Sequence, residues 1–313
     1  CAVLFGSGIG GIRTFEAEYS KLLEKGPRRV SPLFIPMLIS NMASGMIAMR
    51  HDCRGTVMPA VTACASGSNA IGEAMRLIRH GYADAVITGG TEAAICPSAA
   101  AGFVNMQALS TAENPNAASL PFDRRRGGFV MGEGAAALVL EEYMHAKARG
   151  AKIYGEVCGY GSTCDAYHMT APEPSGEGAV RAMLQALSEG GFTPDDLGHL
   201  NAHGTSTPAN DKMESAALHG LAGDRACEIP VTSVKGAMGH TLGAAGALEA
   251  IVTALSVVNS VVPPTVGFAE ADPECAVRVS AEPVRDYPQK VALSNSLGFG
   301  GHNASVAISP YVE

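Results

Sequence analysis

The sequence predicts an α/β protein made of two similar halves, and three observations support this prediction. Apolar, strand-like runs alternate with helical stretches along the 313 residues, which is typical of α/β folds with buried strands. A strand, Cys64 and a glycine-rich helix in the first half resemble a strand, Lys235 and a glycine-rich helix in the second. A hydrophobic content of 47% in a chain of this length is enough for a large core. We therefore expect halves over 1–150 and 151–313, with a boundary near Gly150, packed as one body.

The first half is predicted to alternate strands and helices. Strands are expected over residues 1–5, 57–63, 83–88 and 134–141, and helices over 68–79 and 143–149. The helix over 68–79 rests on Ile71, Met75 and Ile78, which recur at helical spacing. Because the chain starts inside a strand and without Met, we expect that an N-terminal part of the first half is missing here.

The second half is predicted to repeat this alternation. Strands are expected over residues 153–160, 197–202, 229–234, 291–296 and 304–308, and helices over 178–188, 210–221 and 242–258. The strand over 197–202 leads into a loop that carries His203, and the strand over 229–234 leads to Lys235. Polar residues are thus expected where buried strands end.

The composition limits which binding partners and which cellular compartment are expected. A net charge of −8 argues against nucleic acid as the main partner, because phosphate binding needs a basic face. We expect no apolar run long enough for a membrane span, since the longest, over 244–262, is interrupted by Glu249 and Asn259. Eight cysteines without a CxxC pair argue against a zinc ribbon. The length, the core and the lack of a signal peptide predict reduced thiols and a cytoplasmic location.

Cys64 is the strongest candidate for a reactive residue. An isolated cysteine is usually a small buried hydrophobic residue, and we interpret the other seven in this way. Cys64 instead lies where a strand ends and a helix starts. Unpaired N–H groups and the positive end of a helix dipole lie at such a position and stabilise a thiolate. We therefore expect a lowered thiol pKa and a nucleophilic Cys64.

Two histidines are predicted to share a polar pocket. Either His203 or His240 alone would be explained as a histidine that satisfies a turn, but each is flanked by glycine and hydroxyl residues after an apolar strand. A neutral imidazole can donate to a carbonyl oxygen and stabilise an enolate. Metal ligation is poorly supported, because no third ligand occurs at a familiar spacing, so we expect no metal.

Further polar and flexible positions surround these residues in the sequence. Glu249 lies within an apolar helix and needs a partner, for which Lys235 is the candidate. The turn around Phe299 is either a plain glycine-rich turn or an oxyanion-hole N–H with a movable gate. Residues 124–126 are three arginines, which form a solvated loop or hold structural carboxylates. The glycines of 6–11 do not form a dinucleotide fingerprint, which argues against NAD.

Several motifs occur together and carry a family resemblance. They lie at residues 62–64, 89–92, 108–111, 121–123, 128–134, 201–208, 235–240 and 294–303. As a set that covers nearly the whole chain, they resemble the elongating β-ketoacyl-[acyl-carrier-protein] synthases, a family of the thiolase-like condensing enzymes. The resemblance implies a thiolase-like αβαβα layered fold, a homodimer, and a decarboxylative Claisen condensation that lengthens an acyl chain by two carbons.

The resemblance also implies a role for each candidate residue. Cys64 would hold the acyl chain, while His203 and His240 would bind the malonyl thioester and serve its decarboxylation. The other implied roles are oxyanion-hole N–H groups of Cys64 and Phe299, a gate at Phe299, support from Lys235 and Glu249, an acyl channel at Phe103, pantetheine contacts at Thr205 and Thr207, and carrier-protein contacts at Arg28 and Arg29. No resident cofactor is implied, because the substrates are carried on the phosphopantetheine arm of acyl carrier protein.

Four other hypotheses about the function remain open. A degradative thiolase shares the fold but needs a second catalytic cysteine, and the loop over 298–303 contains none. A non-catalytic chain-length factor lacks the nucleophile, whereas Cys64 is present. Members of the family carry a substantial N-terminal segment before the point where this chain begins, so a truncated remnant is a further alternative, as is a polyketide-type ketosynthase. Gln107 stands where relatives can have a basic residue, which would weaken one carrier contact.

Overall fold

The first β-sheet lies in the N-terminal half of the chain. This computed structural model describes residues 1–312. The strands of the sheet are β1 (Ala2–Gly6), β2 (Val57–Ala60), β3 (Ala85–Glu92) and β4 (Gly134–Glu141). Their order is β2–β1–β3–β4, with β1 parallel to β2 and β3, and with β4 antiparallel to β3.

The second β-sheet repeats the arrangement of the first. Its strands are β5 (Glu156–Cys164), β6 (Leu197–Asn201), β7 (Pro230–Thr232), β8 (Arg278–Val279), β9 (Val291–Gly298) and β10 (His302–Ser309), in the order β5–β10–β9–β6–β7–β8. Within it, β6 is parallel to β7 and β9, and β10 is antiparallel to β9, as in the first sheet. The prediction of two duplicated halves is therefore confirmed, while the boundary near Gly150 stays a prediction.

Helices cover both sheets and fill the space between them. They are α1 (Ile12–Lys25), α2 (Phe34–Leu38), α3 (Met42–His51), α4 (Ser66–Arg79), α5 (Pro97–Asn105), α6 (Tyr143–Ala148), α7 (Glu177–Glu189), α8 (Pro208–Ala222), α9 (Lys235–Met238) and α10 (Ala245–Asn259). Helices α4 and α10 pack against each other and contact both sheets, α3 covers the outer face of the first sheet, and α7 with α8 covers that of the second. This is the αβαβα layering that the resemblance implies.

One long apolar segment of the second half lies in the core of the protein. Leu242–Asn259 is long and apolar enough to cross a membrane by length and composition, contrary to the expectation that no run reaches this length. However, 61% of it is buried inside the protein, where α10 contacts strands of both sheets. A helix that is apolar on most sides belongs in such a central layer. The segment is therefore explained as a core helix.

The strand before Cys64 is shorter than predicted. β2 ends at Ala60 rather than at residue 63, because the chain turns at Ala63, which has a φ of +51°. A 3-10 turn over Ala63–Ala65 follows, and α4 begins at Ser66, two residues earlier than expected. The strand before Lys235 likewise ends at Thr232, so Lys235 opens a short helix instead of closing a strand.

Candidate active site

Cys64 lies in the tight turn between β2 and α4, and its neighbours along the chain are small residues. Ser66 closes the turn, since its hydroxyl accepts the Thr62 N–H (2.9 Å) and donates to the Ala63 carbonyl (2.6 Å). Gly298 packs against this turn, and a Cβ there would be 3.3 Å from the Cys64 nitrogen. The close approach explains the glycine and brings the end of β9 beside the nucleophile.

The structure brings the three predicted reactive residues together. The His240 Nε2 lies 3.1 Å from the Cys64 Sγ, and the His203 and His240 ring centroids are 5.2 Å apart at an angle of 84°. All three side chains are buried. His203 follows β6 as expected, whereas His240 follows α9 rather than a strand. Residues from turns of both halves thus meet in one pocket.

Hydrogen bonds around the two imidazoles indicate which ring nitrogen carries the proton. The Leu242 N–H donates to the His240 Nδ1 (3.3 Å). The Lys235 Nζ lies 3.4 Å from the His203 Nδ1 and also donates to the His203 carbonyl. Because each Nδ1 faces a donor, each neutral ring carries its proton on Nε2. The pocket therefore presents two N–H donors, one of them at Cys64.

These three residues also resemble a metal-binding set, although their hydrogen bonds do not fit one. One ligand atom from each of Cys64, His203 and His240 lies within 4.8 Å of the others, so Cys64 would be the third member of such a set, which the sequence spacing does not reveal. A histidine that binds a metal usually donates its second ring N–H to an acceptor. Here each second ring nitrogen instead faces a donor, and one of these donors is the Lys235 ammonium.

Lys235 and Glu249 form the ion pair that the sequence predicts. The Lys235 ammonium donates to the Glu249 carboxylate, and both side chains are buried. Burial raises the pKa of Glu249, and the Lys235 charge opposes this rise. The pair connects α9 to α10 directly beneath His203. Whether it supports the histidines in a reaction stays a prediction.

The electrostatics of Cys64 differ from the expectation. Burial raises the pKa of the Cys64 thiol to about 12, an effect that the Lys235 charge opposes and the Glu92 and Glu249 charges increase. The expectation of a lowered pKa is wrong, because it considered the helix N-terminus alone, whereas burial disfavours the thiolate. Burial and the Lys235 charge also hold the pKa of His240 well below 6.5. The site thus holds a neutral thiol beside a neutral imidazole.

Aromatic side chains form one wall of the pocket. The Phe103 and Phe129 ring centroids are 5.3 Å apart, and those of Phe129 and His240 are also 5.3 Å apart, both with edge-to-face geometry. Phe103 therefore reaches the reactive residues through Phe129. Phe299 lies half-buried in the turn after β9. Phe129 is not predicted from the sequence, where its signal is its place in the motif over 128–134.

The loop after His203 is held by a buried acidic residue, Glu214, that the sequence does not predict. Glu214 accepts the N–H groups of His203 (2.8 Å) and Gly204 (2.6 Å), and burial raises its pKa to about 7. A polar residue on the buried side of the predicted helix 210–221 was the available signal. In the same loop, the Thr205 and Thr207 hydroxyls lie 2.8 Å apart. Their assignment to pantetheine stays a prediction.

The remaining candidates lie outside this pocket. Arg28 and Arg29 occupy an exposed 3-10 turn over Pro27–Arg29. Two of the three arginines at 124–126 bind structural carboxylates, since Arg125 pairs with Asp123 and Arg126 with Asp272. Burial by itself would raise the pKa of Asp123. Hydrogen bonds from Arg125 and from backbone N–H groups outweigh this effect and hold the pKa well below 3.8.

Comparisons with known proteins agree with this geometry. The family model "Beta-ketoacyl synthase, N-terminal domain" matches residues 1–146, and "Beta-ketoacyl synthase, C-terminal domain" matches residues 154–269. The 3-oxoacyl-[acyl-carrier-protein] synthase 2 of Synechocystis sp. is 51% identical over 99% of this chain and 74% of its own length. The enzyme of the same name from Staphylococcus aureus (strain COL) is 50% identical over 99% of this chain and 75% of its own.

Solved structures show the same fold. A type II PKS ketosynthase in complex with its acyl-carrier protein has a TM-score of 0.95 and 34% identity, over 99% of this chain and 78% of its own. A beta-ketoacyl synthase from Burkholderia phymatum STM815 has a TM-score of 0.92 and 36% identity, over 99% of this chain and 75% of its own. This chain thus spans about three quarters of the length of each of these four relatives.

Proposed function

Because the chain belongs to the beta-ketoacyl synthase family, we propose that it condenses an acyl group held on Cys64 with a malonyl group on acyl carrier protein, losing CO2 and lengthening the chain by two carbons. The observation that supports this most is the convergence of the Cys64 Sγ with two imidazoles whose Nδ1 atoms each face a hydrogen-bond donor, which leaves Nε2 to carry the ring proton. A nucleophile beside two neutral donors suits a reaction that passes through a thioester enolate.

The first step transfers an acyl chain to Cys64. The Cys64 sulfur attacks the carbonyl carbon of the acyl thioester, the carbonyl becomes an oxyanion, and the carrier's thiol leaves with the proton that Cys64 gives up. The Cys64 and Phe299 N–H groups are proposed to bind the oxyanion, which the close packing of Gly298 on the Cys64 nitrogen supports. Since burial raises the pKa of Cys64, its proton leaves only as the new carbon–sulfur bond forms.

The second step uses the imidazoles. The malonyl thioester carbonyl accepts hydrogen bonds from the Nε2–H groups of His203 and His240, the carboxylate leaves as CO2, and the electron pair stays as an enolate. The enolate carbon attacks the acyl carbon on Cys64, and the carbon–sulfur bond to Cys64 breaks. The product is a β-ketoacyl thioester on the carrier. Donors that do not lose their protons at the start suit this stabilisation of charge.

Acyl carrier protein is the proposed partner. A structural neighbour is a ketosynthase in complex with its acyl-carrier protein, which supports the assignment. The exposed Arg28 and Arg29 are proposed to meet the acidic carrier, and Thr205 and Thr207 to contact its phosphopantetheine arm. Charge reversal at both arginines is expected to raise the KM for acyl-ACP while leaving transfer from a small acyl thioester unchanged.

A second copy of the chain is proposed to cover the edge strand β2. This strand ends the first sheet, and its Val57 and Met58 are exposed, as is Val61 just after it. An exposed apolar edge is a typical site of strand pairing between chains. Met58→Lys is expected to weaken self-association in light scattering. Val139→Lys, on the opposite edge strand β4 and also exposed, is the matched control.

Fatty-acid elongation in the cytoplasm is the proposed setting. Identity to the fatty-acid enzymes is 50–51%, against 34% for the polyketide ketosynthase, which favours elongation over a polyketide pathway. The exposed Gln107 offers no charge to a carrier at that position.

The experiment that tests the function is an intact-mass measurement after incubation with medium-chain acyl-ACP, followed by peptide mapping. We expect one acyl group on Cys64 and none in Cys64→Ala. The same variant is expected to keep malonyl-ACP decarboxylation, because both histidines remain. An adduct on another residue, or no adduct together with no decarboxylation in the folded wild type, would contradict the proposed function.

A further inference from the structure

A buried carboxylate outside the reactive trio joins three segments around it. Glu92 ends β3 and is 3% exposed. Its oxygens accept the three N–H groups of residues 8–10, at 2.7–3.2 Å, and the Ser7 hydroxyl at 3.1 Å. They also accept the Gly243 N–H at 3.1 Å. Glu92 thus binds the loop after β1 and the segment after His240 at the same time.

On one side, the loop that Glu92 binds packs against Ala63, the residue before Cys64. Gly8 packs so closely that a Cβ there would be 2.9 Å from the Ala63 carbonyl oxygen and 3.0 Å from the Glu92 carboxylate. Ala63 has a φ of +51°, which is uncommon for a residue other than glycine. Such a conformation persists only where the surroundings enforce it. The loop that Glu92 holds therefore supports the turn that carries Cys64.

On the other side, the segment that Glu92 binds donates a hydrogen bond to His240. Gly243, whose N–H Glu92 accepts, follows Leu242, which also has a left-handed φ of +51°. The Leu242 N–H is the donor to the His240 Nδ1. Because the Leu242 and Gly243 amides are consecutive, a shift of one moves the other. Release of Gly243 from Glu92 would therefore weaken the hydrogen bond that keeps the proton of His240 on Nε2.

We propose that Glu92 is a positioning residue, whose carboxylate ties the turn before Cys64 to the segment after His240 and so fixes the tautomer and direction of the His240 ring. This inference rests on the proposed condensing activity. Glu92 touches neither Cys64 nor His240 and acts through Ala63 and Leu242. A carboxylate that only stabilised the fold would change the free energy of unfolding without changing the tautomer of His240.

The charge of Glu92 provides a second, independent readout. The charged and titratable groups that act on Cys64 are Glu92, Glu249, Lys235, His203 and His240. Among these, the Glu92 carboxylate raises the pKa of the Cys64 thiol. Neutralising it is expected to make Cys64 react with iodoacetamide at lower pH. Decarboxylation is expected to slow in the same variant, so the two readouts change in opposite senses.

The test compares Glu92→Gln with Asp123→Asn. Asp123 is also buried and accepts backbone N–H groups, those of Ala269 and Glu270 at 2.8 Å each, but it lies outside the Cys64 pocket. In Glu92→Gln we expect kcat for malonyl-ACP decarboxylation to fall about tenfold or more, with KM within about threefold. The alkylation profile is expected to move to lower pH. Asp123→Asn is expected to keep both properties even if it melts at a lower temperature.

Several results would overturn the inference. A folded Glu92→Gln variant with wild-type decarboxylation would do so, and so would an equal loss in Asp123→Asn. If Glu92→Gln fails to fold, nitrogen-15 histidine spectra of the wild type decide, with His240 assigned through His240→Gln. A proton on the His240 Nδ1 in the wild type contradicts the proposed role. A wild type without acylation or decarboxylation contradicts the proposed function instead, and the tautomer still decides the role of Glu92.

Discussion

The Lys235 ammonium is shared between the Glu249 carboxylate and His203. Lys235 and Glu249 are each 1% exposed, and the Lys235 Nζ also lies 3.4 Å from the His203 Nδ1. One cation therefore neutralises a buried carboxylate on α10 and faces the imidazole nitrogen that must stay unprotonated. Burial, followed by this charge and the neighbouring His240, holds the pKa of His203 well below 6.5. Burial and the Lys235 charge thus keep the His203 ring neutral at neutral pH.

Lys235→Met is expected to destabilise the protein by about 3–5 kcal/mol, because it leaves the Glu249 charge buried without a partner. The free energy of unfolding from denaturant titration measures this loss. The double variant Lys235→Met/Glu249→Leu removes both charges and is expected to recover part of the stability. A double variant less stable than Lys235→Met would contradict this explanation.

Glu214→Gln is expected to flatten the dependence of stability on pH. Burial raises the Glu214 pKa from 4.5 to about 7, so between these values the unfolded chain loses a proton that the folded protein keeps. The stabilisation that Glu214 contributes is fully present below pH 4.5. It falls by about 3 kcal/mol in total as the pH rises through 7. A glutamine does not titrate, so the variant should gain relative to the wild type over this range.

Thermal unfolding of both proteins at pH 4.5, 6 and 7.5 measures this difference. Asp211 titrates nearby, since burial raises its pKa to about 6, and its charge raises that of Glu214. Both proteins contain Asp211, so it shifts the two curves in a similar direction. Parallel curves for the variant and the wild type would show that Glu214 does not titrate in this range.

Phe129→Ala is expected to lower the free energy of unfolding by about 3–5 kcal/mol, because it opens a cavity between Phe103 and His240. The ring is 4% exposed and contacts both neighbours edge-on. Loss of this contact should also slow decarboxylation, since the His240 ring loses one of its walls. Phe15→Ala is the control, because Phe15 is 46% exposed and should cost about 1 kcal/mol or less. Equal losses at both positions would contradict the packing argument.

Local patterns in the sequence were sufficient to predict much of the site. Cys64 was predicted from a strand–turn–helix pattern, and the Lys235–Glu249 pair from a carboxylate in an apolar helix that requires a partner. The meeting of His203 and His240 was predicted from their small, polar flanks. Each inference depends on neighbours within a few residues, where strand and helix periodicities determine the direction of a side chain.

Features that depend on distant parts of the chain were not predicted. Glu92 lies more than 80 residues after the loop that it holds and 151 before Gly243, so no local pattern connects them. The raised pKa of Cys64 depends on its burial against segments of both halves, whereas the helix N-terminus alone indicated the opposite direction. The place of Phe129 beside His240 arises from packing between distant segments, which motif spacing does not specify.

Gly67→Ala is expected to destabilise the protein by about 1–3 kcal/mol, because it overpacks the contact between the two central helices. Gly67 lies in the first turn of α4, and a Cβ there would be 2.7 Å from the Ala247 nitrogen and 3.1 Å from the Gly243 carbonyl oxygen. Both are backbone atoms, so α4 must move to relieve the clash. Since α4 begins two residues after Cys64, the move should also slow acylation.

Gly45→Ala is the matched control for this prediction. Gly45 lies inside α3, and a Cβ there would meet nothing within 4 Å. The same substitution should therefore stabilise the protein by about 0.5–1 kcal/mol, because alanine has the better helix propensity. Thermal unfolding and the rate of acyl transfer to Cys64 measure both effects. If Gly67→Ala were as stable and as active as Gly45→Ala, the close packing of α4 on α10 would not be what positions Cys64.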